Sequence, residues 1–194
     1  MDERQGFVER KTRETDIIVR LVLSNEGLLE GSSGIGFLDH LLESFASHSG
    51  FRIELTVNGD LNVDFHHTVE DVGLCLGLAL ARALGDKRGV VRYGSLITPM
   101  DEALVLSAVD LSGRAGFYAH LNFPTEKIGN FDSQLVEVFW EAFAREAKIT
   151  LHIKQLAAEN SHHLAEAVFK GVGRALKEAV VISGNLIPSS KGIL

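Results

Sequence analysis

The chain reads as an α+β protein, internally duplicated, with two similar halves that each carry a mostly antiparallel sheet and two helices. Three observations predict this. His-His-x-x-Glu is written twice, as His66, His67 and Glu70 and again as His162, His163 and Glu166. Both copies follow the same order of helical segment, alternating segment and loop. Extended apolar runs open each half: DIIVRLVL in the first, EALVLSAVDL and GFYAHLNF in the second. The halves are read as residues 1–90 and 91–194, packed as one compact unit and joined near Gly85–Gly94. Neither half alone can bury much core.

The elements follow from their periods. In GFLDHLLESFASHSG, Phe37, Leu38, Leu41, Leu42 and Phe45 share one helical face. The preceding GSSGIGF reads as a flexible lead into that helix. FRIELTV alternates Phe51, Ile53, Leu55 and Val57 with polar residues, the period of a half-buried strand. After NGDLNVDF, the pair His66-His67 begins a helix with Val69, Val72, Leu76 and Leu80 at helical spacing. In the second half FDSQLVEVFWEAFAREA is helical, with Asp132 or Ser133 expected as its cap. ITLHI is a strand, and AENSHHLAEAVFKGVGRALKEAV a helix with Leu164, Val168, Val172, Ala175 and Ala179 inward. Aligning LDHLLESF with VEVFWEAF sets Asp39 opposite Glu137, Glu43 opposite Glu141 and Phe45 opposite Phe143. His40 then falls opposite Val138.

The 194 residues are 45% hydrophobic and 23% charged with net charge -7, a composition that gives no footprint for nucleic acid. MDERQGFVERKTRE lacks the apolar core of a signal peptide, and no apolar run approaches a membrane span. Cys75 stands alone in GLCLGLAL as a buried hydrophobe, without a disulfide framework. A cytoplasmic location is expected, with no membrane or nucleic-acid partner.

The two histidine clusters carry the chemistry. On a helix Glu70 can lie beside His66 or His67, and Glu166 beside His162 or His163. Adjacent histidines diverge by about 100°, so one pair can serve two centres. Neutral imidazole and carboxylate suit Mn, Fe, Zn, Ni or Co, and His40 supplies a further candidate ligand. The pattern is not HExxH. His48, at a helix end, is either a C-terminal helix cation or a site residue. His120 and His152 read as surface or structural. Arg92, Arg114, Lys170, Ser189, Ser190 and Lys191 have the chemistry of a phosphate clamp if they converge. No Walker loop precedes a helix, so a nucleoside triphosphate is not expected.

RETD, GIGFLDHLL, FHHTVEDVG, PMDEAL, DLSGR, NSHHLAEAVFKG and PSSKG occur here in the order found in the imidazoleglycerol-phosphate dehydratase family of histidine biosynthesis, which this sequence resembles from about Arg10 onward. The resemblance implies dehydration of D-erythro-imidazole-glycerol phosphate to imidazole-acetol phosphate, two Mn2+ per active site, and sites formed between subunits of a 24-mer built from trimers. It implies His40, His66, His67, Glu70, His162, His163 and Glu166 as metal ligands, with Glu70 and Glu166 among the catalytic carboxylates. Glu14 would lie at the substrate as acid or base, with a metal-bound water or another carboxylate as its rival. His48, Arg92, Arg114, Lys170, Ser189, Ser190 and Lys191 would hold substrate, chiefly its phosphate. Val138 departs from the pattern, since relatives usually offer His there; a water, Glu137, Glu141 or a differently routed His could fill the gap, and unequal affinity for the two ions is the expectation. A different dinuclear metalloenzyme, such as a phosphoesterase, and a non-catalytic metal-stapled scaffold are the other classes open at this stage.

Overall fold

The structure, a computed structural model, describes residues 4–192 and 194. The first half runs β1 (Gln5–Lys11), β2 (Thr15–Val22), β3 (Leu28–Ser32), α1 (Gly36–Ser49), β4 (Arg52–Gly59) and α2 (His66–Leu84). The second runs β5 (Tyr93–Met100), β6 (Ala103–Asp110), β7 (Gly116–His120), β8 (Lys127–Ile128), β9 (Phe131–Asp132), α3 (Leu135–Ala147), β10 (Thr150–Ala157) and α4 (Ser161–Ala179). The sheets are ordered β1-β2-β4-β3 and β5-β6-β10-β7, each antiparallel except for its last pair. That last pair is parallel because a helix connects its strands, α1 between β3 and β4 and α3 between β7 and β10.

The duplication extends to strand register, apart from a shift between Gln155 and Ala157 of β10 that the first sheet lacks. Gln5 lies opposite Val22 and Arg52 opposite Val22 in one sheet; Tyr93 lies opposite Asp110 and Thr150 opposite Asp110 in the other. Leu28 pairs with Arg52 as Gly116 pairs with Thr150. The short β8–β9 hairpin has no counterpart, because the first half passes from β3 to α1 in a few residues.

Alternation sends Ile17, Val19, Leu21, Ile53 and Leu55 inward from the first sheet, and Val105, Val109, Leu151 and Ile153 from the second. The helices lie between the sheets. α2 covers β1 and β2, α4 covers β5 and β6, and across the middle α2 packs on α3 while α4 packs on α1. The halves therefore share one core. Phe45 of α1 meets Trp140 of α3 at 5.5 Å between ring centroids, and Trp140 meets Phe169 of α4 at 4.8 Å.

Glycine sets these contacts. A Cβ on Gly6 would lie 1.9 Å from the Ala79 carbonyl oxygen, and one on Gly94 1.9 Å from that of Ala175. Each is the same approach of helix to first strand, made once per half. Likewise a Cβ on Gly77 would meet the Phe143 oxygen at 2.3 Å, and one on Gly173 the Phe45 oxygen at 3.0 Å. Only a residue without a side chain permits backbones this close.

Two expectations are corrected. GSSGIGF is not a flexible lead: the Asp39 carboxylate accepts the Ser33 backbone N–H, the Ser33 hydroxyl and the Ser32 hydroxyl, each at 2.6 Å. Neither Asp132 nor Ser133 caps α3, whose N-cap is Gln134 without a side-chain bond. The hairpin takes both side chains instead, Ser133 donating to the Glu126 carbonyl and Asp132 pairing with Lys127.

Gly94→Ala is expected to cost about 1–3 kcal/mol in chemical denaturation, whereas Gly36→Ala, with open space around its Cβ, should leave the midpoint unchanged. Equal midpoints for the two variants would remove the close approach from the account of the fold.

Candidate metal centre

The contact of α1 with α4 brings His40 of the first half to His162 and Glu166 of the second. His40 Nε2 and His162 Nε2 each lie 2.9 Å from Glu166 Oε1, with ring centroids 5.5 Å apart. One ligand atom from each of the three residues falls within 4.8 Å of the others, the only such set of His, Cys, Asp or Glu among the described residues. Lys170, one helical turn further on, reaches Glu166 Oε2 at 2.5 Å. Phe37 packs edge-on to His162 at 4.9 Å, giving the site an apolar wall. Ile128, Gly129 and Asn130 of the β8–β9 hairpin line the same cavity, and Phe131 of that hairpin packs on Phe37 at 5.4 Å.

Burial pushes the Glu166 carboxyl up, but hydrogen bonds from Lys170, His40 and His162 outweigh it and hold it at about 2. Two imidazole nitrogens and a fixed carboxylate are hard-to-intermediate donors that suit a divalent transition ion, without a thiolate to draw softer metals.

The first turn of α4 is fixed by Asn160, whose side chain accepts the backbone N–H groups of His162 and His163 at 2.8 and 3.3 Å. The two rings then stand at 83° to each other, and His66 and His67 repeat this at 85°. The second histidine of each doublet faces away from the His40 cluster and is held by acids. His163 Nδ1 lies 2.7 Å from Glu102 Oε2, and His67 Nδ1 2.9 Å from Asp60 Oδ2. A carboxylate can only accept, so Nδ1 carries the proton and Nε2 is the open lone pair when the ring is neutral. Donating to these acids raises both imidazole pKa values, because the charged acceptors favour the imidazolium. Glu102 in turn drops to about 2, chiefly through its bond with His163.

Glu14 and Glu102 are counterparts, each immediately preceding the second strand of its sheet. Glu14 stands 3.8 Å from His67 Nε2, as Asp101 stands 3.6 Å from His163 Nε2. Sequence reasoning missed Glu102 and Asp60. Glu102 was within reach, because it lies in PMDEAL and aligns with Glu14; nothing in the pattern marks Asp60.

The remaining candidates divide. Glu70 joins neither His66 nor His67 but pairs with Arg145 of α3 at 3.3 Å. His66, His67, Glu70 and His163 all lie outside the His40 set. Arg92 grips Asp110 with two N–H groups, at 2.7 and 3.2 Å, and donates a third to the Pro188 carbonyl at 2.7 Å. It thus anchors the turn in which Ser189 Oγ accepts the Lys191 backbone N–H. The Gly113 turn before Arg114 lies against Leu194 of the same tail. Lys170 belongs to Glu166 rather than to this group. His48 sits in the last turn of α1 with Nδ1 2.9 Å from the Ser44 carbonyl.

A family profile described as imidazoleglycerol-phosphate dehydratase matches residues 33–176. Curated relatives with that name include one from Caldicellulosiruptor bescii, 50% identical over 194 residues and the whole of both chains, and one from Moorella thermoacetica, 50% identical over 98% of each. The fold matches the crystal structure of the Pyrococcus furiosus enzyme in complex with (S)-C348 with TM-score 0.84 and 38% identity, over 96% of this chain and 100% of that one. It matches the Staphylococcus aureus enzyme equally, with TM-score 0.84 and 34% identity over 92% and 99%.

Glu102→Gln should lower the His163 pKa toward that of a free imidazole, because the charged acceptor that favours the imidazolium is gone. A nuclear magnetic resonance titration of metal-free protein reads this directly, and an unmoved His163 would show that Glu102 does not hold the ring.

Proposed function

Since the chain belongs to the imidazoleglycerol-phosphate dehydratase family, hydro-lyases of histidine biosynthesis, we propose that it removes water from D-erythro-imidazole-glycerol phosphate to give imidazole-acetol phosphate, and that it does so with divalent metal. The observation that carries the metal dependence is the meeting of His40, His162 and Glu166 across the two halves. Bound Mn2+ would serve as Lewis acid and template for the azole ring.

The chain's own residues have distinct parts. His40, His162 and Glu166 hold one ion. His66, His67, Glu70 and His163 are the further ligands, and because they do not join the first set within one chain, neighbouring copies complete the site. Exposed Phe7, Ile18 and Leu28 on the first sheet, and Tyr93, Ile97 and Tyr118 on the second, support such an assembly. A 24-mer built from trimers, in the cytoplasm, is the form proposed. No helix among the described residues is long and apolar enough to cross a membrane.

Glu14 is exposed and beside His67, placed to move a proton to or from the reacting side chain. Arg92, with its remaining N–H groups, Arg114 and the Ser189–Lys191 turn take the phosphate, with Lys170 from the metal side. Binding energy from this remote group positions the reacting end.

Stripping the protein with a chelator should abolish turnover of imidazole-glycerol phosphate, and Mn2+ should restore it more fully than Zn2+. His162→Ala should lower turnover by on the order of 100-fold. Activity should fall on acidification as the ligand rings are protonated. Raised pKa values favour the protonated ring, so His67 and His163 are lost as ligands at a higher pH than ordinary imidazoles would be. Full turnover after stripping, or release of inorganic phosphate in place of dehydration, would overturn the reading.

A further inference from the structure

The fold repeats itself, but its two metal-facing half-sites do not match. We infer that each chain binds one divalent ion tightly, at His40, His162 and Glu166, and that the counterpart half-site at His66 and Glu70 is the weaker, because Val138 stands where its third ligand would be. This rests on the metal-dependent reading above.

The internal symmetry identifies the counterparts without reference to any other protein. Gly77 of α2 touches the Phe143 carbonyl of α3 as Gly173 of α4 touches the Phe45 carbonyl of α1. With Phe45 equivalent to Phe143, His40 is equivalent to Val138; with Gly77 equivalent to Gly173, His66 and Glu70 are equivalent to His162 and Glu166. The packing agrees, since a Cβ on Gly73 would lie 2.5 Å from the Phe139 oxygen, setting the first turns of α2 against α3 next to Val138. An isopropyl group offers no lone pair. Among the described residues no other His, Cys, Asp or Glu takes its place to form a cluster with His66 and Glu70.

The acids differ as well. Glu166 Oε1 already faces two imidazole nitrogens at 2.9 Å, with Lys170 confined to the other oxygen. Glu70 faces no imidazole, and its Oε1 is taken by Arg145, so no pre-set group of imidazole nitrogens meets its carboxylate. Arg145 is equivalent to Ser47 in the first half, which carries no charge to compete. The β8–β9 hairpin adds a third difference, walling the His40 site alone. Each acid has a cationic neighbour, so it is the ligand count, with the hairpin wall beside it, that favours the His40 half-site.

The test is a Mn2+ titration of the intact, chelator-stripped protein, with free Mn2+ read by electron paramagnetic resonance and substrate absent. The wild type should show one tight ion per chain and a second weaker by on the order of 10-fold or more. Val138→His should bring the second ion close to the first, and His40→Val should abolish the tight class while leaving the weak one. The reciprocal pair keeps the test decisive if either variant alone misfolds. Two ions of equal affinity in the wild type, or variants that leave the difference untouched, would overturn the inference while metal-dependent turnover stood. No Mn2+ binding in any protein would overturn the inference and the metal-dependent reading together.

Discussion

Two helix crossings at backbone contact determine the rest of this structure. α2 meets α3 through Gly77 on the Phe143 carbonyl, and α4 meets α1 through Gly173 on the Phe45 carbonyl. Each crossing joins a helix of one half to a helix of the other. Two marginal sheets with two helices apiece thereby become one core, in which Phe45, Trp140, Phe143 and Phe169 interlock. The same contact decides the chemistry. His40 and Glu166 are far apart in the chain, and they meet because nothing larger than hydrogen separates α1 from α4. Interiors are too densely packed for the helices to part without moving every neighbour, so the cluster is as rigid as the core beneath it.

Charge is arranged around this frame so that each ring of the candidate site is held in one orientation. Glu166 is kept ionised by Lys170 and two imidazoles despite its burial. The outward histidine of each doublet spends Nδ1 on an acid and leaves Nε2 free. The acids are held too: Glu102 accepts the backbone N–H groups of Glu159 and Asn160 besides His163. Such supports orient a ligand ring and raise its basicity. They also tie the β5–β6 turn to the loop that starts α4, so site geometry is set from both the sheet and the helix layers.

Much of this was legible from periodicity. The helices containing Leu38, Leu41 and Phe45, or Val69, Val72 and Leu76, announce one buried face each, and the repeated His-His-x-x-Glu announces the duplication. What was not legible depends on partners far away in the chain. Asp39 shows in the sequence only as the counterpart of Glu137, yet its carboxylate orders the serines before it. Ser133 reads as a cap, yet a hairpin too short to show in any period claims it. Glu70 has the right spacing to join a histidine, and an arginine from the other half turns it away. Helical spacing states which residues can share a face; it does not state which competitor the opposing helix presents. The residues expected to bind an anion illustrate the same limit, since Lys170 lies four residues from Glu166 and pairs with it, while Arg92 is engaged by Asp110 and the tail.

Duplication explains how two like half-sites can arise and also why they need not stay symmetric. In a repeated fold each half-site is free to differ so long as the core packing survives. Valine at position 138 keeps that packing, for Val138 is a half-buried residue that packs against the core. Adding the β8–β9 hairpin likewise disturbs no sheet pairing, because it falls between β7 and α3, where the register has already ended. Both changes sit at the margin of the core and directly at the site, where structural cost is low and chemical effect is high.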